Sequence, residues 1–146
     1  MDHSPYRTVL FAHDGSDRAR VAFPHLVALG TSGVNLILCH VIDVGVLVHR
    51  RPEAEATEDV PGVQYNKVLE TMRLDLETAG VPNVETRVLE GRVAETLARA
   101  AEELDADLVV TVTRGHGGWR RALLGSVAEY LVRHTPAAAV LVIPAE

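Results

Sequence analysis

The chain has a single cysteine, Cys39, set inside an apolar run, so no disulfide framework holds it and a reducing compartment fits. No apolar stretch reaches the roughly 20 residues that a membrane-spanning helix needs. The opening residues, Met1 to Pro5, are polar and too short for a secretory leader. Together these absences lead us to expect a cytoplasmic chain with no membrane partner. Positive charge is in deficit: 14 Lys and Arg face 20 Asp and Glu, a net charge of −6. That disfavours general binding to nucleic acid or acidic lipid and makes any basic spot local. No His/Cys/Asp group has metal-ligand spacing, and no nucleophile, base and orienter can be assembled. No enzyme active site is therefore legible. No internal repeat or domain boundary appears, and 146 residues suit one domain, taken as 1–146.

What the sequence does contain is apolar residue in quantity, 47 %, enough for one full core. It is arranged in five β-rich runs: Thr8 to Ala12, Asn35 to Ile42, Val84 to Leu89, Asp107 to Val112 and Ala139 to Ile143. Four are nearly continuous in apolar residues, as strands covered on both faces are. The third alternates, with Val84, Thr86 and Val88 against Glu85 and Arg87, and so reads as an edge or half-exposed strand. Helical spacing separates the runs: Ala19, Ala22, Phe23, Leu26 and Val27; Tyr65 to Ala79; Val93 to Leu104; Leu124 to Leu131. Ser16 or Asp17 is placed to cap the first helix, Pro24 to kink it, and Gly30 and Gly80 to end helices. Strands alternating with helices imply parallel strands and right-handed crossovers, hence a doubly wound α/β sheet. The span Asp43 to Gly62, containing "RRPEAEATEDVPG", has no period and reads as a solvated tether. The terminal run Ala139 to Ile143 is an apolar strand at a sheet edge, which favours pairing with a second copy.

In open α/β sheets ligands bind beyond the carboxyl ends of the strands, at the switch in strand order. Three loops qualify. "HDGSD", His13 to Asp17, is a turn with a helix cap, or else a carboxylate offered to a ligand hydroxyl or a metal. "HVIDVG", His40 to Gly45, follows the second strand. "TRGHGGWRRALLGS", Thr113 to Ser126, holds Gly115, Gly117 and Gly118, the cations Arg114, Arg120 and Arg121, and Gly125–Ser126 directly before a helical pattern. Backbone N–H groups, a hydroxyl and the positive end of a helix dipole then meet at one place, as phosphate requires. The segment is neither a Walker loop nor a GxGxxG loop. A flexible connector capped by Ser126 stays open as the other reading.

These residues resemble the universal stress protein family over nearly the whole length. The likeness runs through "VLFAHDGS", "LILCHVID", "EGRVAETLARAAEELDADLVV" and "RGHGGWRRALLGSVAEYLVRHTPAAAVLVIP". The resemblance implies a Rossmann-like five-stranded parallel sheet of order 3-2-1-4-5 and a homodimer joined through Ala139 to Ile143. It also implies an ATP signature of Gly, two residues, Gly, nine residues, Gly, then Ser or Thr. Gly115, Gly125 and Ser126 match it; Val112 stands where the first glycine belongs. The implied adenine-nucleotide site is Ala12, His13, Asp14, Val41, Val112, Arg114, Gly115, His116, Gly117, Gly118, Gly125, Ser126 and Val127. Asp14 would meet ribose or magnesium, and the Val41 backbone would meet adenine. The expected role is a sensor or regulator that binds ATP or a related adenine nucleotide, hydrolysing it slowly if at all. The competing expectation is a nucleotide-free homodimer acting through protein contacts, with Val112 as its support and Trp119 and the Asp43 to Gly62 loop as candidate surfaces. The protein partner is unknown in either case.

Overall fold

A computed structural model describes residues 4–44, 61–114 and 125–145. In chain order the elements are β1 (Thr8–Ala12), a 3-10 helix (Asp17–Ala22), α1 (Phe23–Gly30), β2 (Asn35–Asp43), α2 (Pro61–Thr78), β3 (Val84–Gly91), α3 (Val93–Glu103), β4 (Leu108–Arg114), α4 (Ser126–His134) and β5 (Ala139–Ala145). The strands form one parallel sheet in the order β3-β2-β1-β4-β5. The direction of winding reverses between β1 and β4, which makes their carboxyl ends the switch point.

Period two explains how the sheet is covered on both faces. Val9 and Phe11 of β1 join Leu36, Leu38 and Val110 against Leu26, Leu69, Met72 and Leu76 of α1 and α2. Leu10 points the other way, with Ile37, Cys39 and Val109, against Leu97, Ala100, Ala101 and Leu131 of α3 and α4. The alternating third strand lies at one edge, with Glu85, Arg87 and Glu90 exposed. β5 is the other edge of the sheet.

Four local expectations are corrected and one, Gly30, holds for a different reason. Pro24 kinks nothing: the chain turns first as a 3-10 helix, and Pro24 sits in the opening turn of α1, where its missing N–H costs no hydrogen bond. Ser16 occupies the cap position of the 3-10 helix without a side-chain capping bond, because its hydroxyl donates to Asp14 instead. Gly30 does end α1 as expected, but packing is what requires glycine there: a Cβ would lie 2.4 Å from Cγ1 of buried Val81. β4 does not stop at Val112 but runs on to Arg114, since Thr113 and Arg114 pair with Pro144 and Ala145 of β5. Finally, Asp43 closes β2 and Pro61 and Gly62 open α2, so only part of the expected tether remains, and 45–60 lies outside the described residues.

Candidate functional site

The loop after β1 is held by a chain of backbone and ring contacts. The His13 amide donates to the Cys39 carbonyl at 2.8 Å, tying the loop to β2. Its ring Nδ1 accepts the Gly15 amide at 2.9 Å, and its carbonyl accepts His40 Nδ1–H at 2.8 Å. Tyr65 of α2 stacks on the His40 ring, centroids 3.8 Å apart, and closes over Gly15. Gly15 has φ +87°, and a Cβ there would sit 2.6 Å from Tyr65 Cε1, so both conformation and space require glycine. Both histidines are buried. Burial pushes the His13 pKa down to about 4, against the pull of Asp14, so the ring is neutral near pH 7 with Nδ1 free to accept. Burial also lowers His40.

With the loop so clamped, Asp14 projects outward. Its Oδ1 accepts the Ser16 hydroxyl at 2.6 Å and the Ser16 amide at 2.9 Å. Arg18 Nη2 lies 3.7 Å from Oδ2. Partial burial alone would raise this carboxyl, but the Ser16 bonds, Arg18 and His13 outweigh it and hold the group below the usual carboxylate range.

Across the switch point, α4 begins at Ser126, preceded by Gly125 with φ +87° and ψ 150°. Between these two corners lies an open crevice of about 1010 Å³. Of the residues expected from sequence, Ala12, His13, Asp14, Val41, Val112, Gly125, Ser126 and Val127 line it together. Arg114 ends β4, while Gly115, His116, Gly117, Gly118, Trp119, Arg120 and Arg121 lie outside the described residues. One wall is apolar: Cys39, Val41, Val93, Leu97 and Ala128. Cys39 is fully buried, its thiol pushed up to about 11 by desolvation, and acts as wall rather than nucleophile.

His40 and Thr113 open two of the loops expected to meet a ligand, whereas sequence reasoning missed Arg18, Thr111, Val93, Leu97, Glu129, Val132 and Arg133. A signal existed for some. Arg133 lies two turns beyond Ser126 on the same helix face, and Leu97 shares the stripe of Ala100 and Ala101 that packs on the sheet.

Fold and crevice define a doubly wound α/β protein with an open cleft at its topological switch point. The sequence model of the Universal stress protein family matches residues 5–144. A putative universal stress protein of Staphylococcus saprophyticus is 32% identical over 134 residues, covering 90% of this chain and 80% of that one. A universal stress protein of Methanocaldococcus jannaschii is 30% identical over 132 residues, covering 88% and 77%. Among solved structures, universal stress protein UspA from Lactobacillus plantarum superposes with TM-score 0.74 at 25% identity, over 97% of this chain and 99% of that one. A universal stress protein crystallised in complex with cAMP superposes with TM-score 0.70 at 25% identity, over 98% and 100%. The chain belongs to the universal stress protein family.

Proposed function

We propose that this chain binds an adenine nucleotide, ATP or a relative of it, in the switch-point crevice and acts as a sensor or regulator. The observation that carries the reading is the convergence of Asp14, Val41 and the Gly125–Ser126 helix start on one crevice. Adenine lies against the apolar wall beside the Val41 backbone. Ribose faces Asp14, and phosphate meets the N–H groups and positive dipole end of α4. The likeness to a relative in complex with cAMP supports this class of ligand. A cytoplasmic homodimer joined along Ala139 to Ile143 belongs to the same reading.

Magnesium fits this site poorly as a protein-held ion. Asp14 Oδ1 already accepts two hydrogen bonds, and Oδ2 has Arg18 beside it. Among the described residues no group of three His, Cys, Asp or Glu could hold a metal. Any magnesium would therefore stay with the ligand's phosphates, as that ion commonly does. Calorimetric titration of the purified chain with ATP and with cAMP should give micromolar binding. Chelating magnesium should change the affinity by less than about threefold, because no carboxylate–metal bond is lost. No heat and no thermal shift with millimolar ATP or cAMP overturns the nucleotide reading.

One observation favours the second reading, a nucleotide-free protein working through protein contacts. Val112 is half-buried on the crevice wall, in register with Ile143. Because β4 continues past it, valine disturbs no turn; its side chain packs partly with the core beneath α1 and α2, so its objection is at most steric. Val112→Gly should improve ATP affinity by less than about tenfold if the branched side chain merely crowds the ribose. Binding that appears in the glycine variant alone establishes the second reading.

A further inference from the structure

The geometry points to Arg18 as a residue that, beside the start of α4, makes the crevice select phosphorylated adenine ligands over the bare nucleoside, exchanging Asp14 for phosphate as the ligand enters. The inference rests on the nucleotide reading above.

Asp14 has two oxygens with unequal duties. Oδ1 is saturated by Ser16, which donates through its hydroxyl at 2.6 Å and its amide at 2.9 Å. Oδ2 is the oxygen left for a ribose hydroxyl, and Arg18 already stands against it at 3.7 Å. Both side chains line the crevice and both are about two-fifths exposed, 42% and 44%. The separation exceeds the roughly 2.7–2.9 Å of a charge-assisted hydrogen bond. A half-exposed pair of this kind contributes little and is easily surrendered. A phosphate presents the guanidinium with planar bidentate geometry and more charge than one carboxylate.

The two exchanges are therefore coupled. A ribose hydroxyl donating to Oδ2 displaces Arg18, and the ligand's phosphate receives it. Adenosine makes the first exchange and offers nothing for the second, leaving Arg18 without a partner. Phosphorylated ligands complete both. Arg18 thus acts as a specificity-determining residue. It sits in the 3-10 helix that follows the Asp14 turn, so its position is set by the same clamp of His13, His40 and Tyr65 that aims Asp14.

The test is calorimetric titration of the full chain with adenosine, AMP and ATP, for the wild type, Arg18→Gln and Arg18→Lys. The wild type should bind AMP at least about tenfold tighter than adenosine, as a charge-assisted contact gives. In Arg18→Gln the gap should narrow by at least about threefold, through weaker AMP and ATP binding and equal or tighter adenosine binding, since Oδ2 is now open; the remainder belongs to the amides at the start of α4. Arg18→Lys should restore part of the gap. A wild type that does not discriminate, a gap of undiminished size in Arg18→Gln, or parallel loss of all three ligands overturns this inference alone. Failure of the wild type to bind any of the three overturns the nucleotide reading with it.

Discussion

Gly125→Ala should weaken ATP binding by about 10- to 100-fold while lowering the melting temperature by only a few degrees. Gly125 has φ +87° and ψ 150°, a region of backbone space that is nearly reserved for glycine, where a side chain costs about 1–3 kcal/mol. Among the described residues a Cβ at this position would meet only Thr113 Cγ2, at an ordinary 3.8 Å, so the conformation is the obstacle they present. The chain relieves the strain by rotating the peptide groups that lead into α4. Those groups hold the proposed phosphate seat, the amides at Gly125 and Ser126. The helix itself stays anchored by Ala128 and Leu131, both buried. Function is thus expected to suffer more than stability. Titration calorimetry and differential scanning fluorimetry on the same preparation separate the two. Unchanged ATP affinity in a folded Gly125→Ala variant would remove α4 from the site.

The inner strands were legible as short apolar runs buried on both faces, and the edge strand β3 by its alternation of Val84, Thr86 and Val88 with exposed Glu85 and Arg87. Their ends were less so. Thr113 and Arg114 look like the start of a loop, yet they pair with Pro144 and Ala145, a decision made by the neighbouring strand. The first helical pattern satisfied its apolar spacing equally well as a 3-10 helix followed by α1, and Pro24 marks the junction. Gly30 was found in the right place for the wrong cause: the buried side chain of Val81, far along the chain, excludes a Cβ there. At the site, the turn at Asp14 and Gly15 and the helix start at Ser126 were visible because turn and dipole chemistry are local. The Tyr65–His40 stack was not, because it depends on which elements the fold brings together, whereas the Asp14–Arg18 pair, four residues apart, is local and was within reach of the sequence.

Acid should destabilise this protein earlier than a typical globular domain, and His13 should be the largest single cause. Burial holds the folded-state pKa of His13 near 4, with the charges of His40 and Arg20 lowering it further and Asp14 opposing. In the unfolded chain the same ring titrates near its ordinary value of 6.5. Between those two values the unfolded state binds a proton that the folded state refuses, so stability falls as pH falls. The contribution is complete above about pH 6.5 and gone below about pH 4, and integrated over that window it amounts to about 3 kcal/mol. His40, also lowered by burial, acts in the same direction, and Asp14, held low by Ser16 and Arg18, adds its loss at still lower pH. The structural event is specific. A proton on Nδ1 of His13 meets the Gly15 amide, which is itself a donor at 2.9 Å, so the turn that aims Asp14 must release. Urea unfolding from about pH 7.5 down to about pH 4.5 should show the fall, and nucleotide affinity should decline with it. His13→Asn keeps an acceptor near the Nδ1 position without a titrating group, and it should flatten the pH dependence by about half or more. A wild-type stability curve that is level over this range, or a variant whose curve is as steep as the wild type's, would show that the proton goes elsewhere.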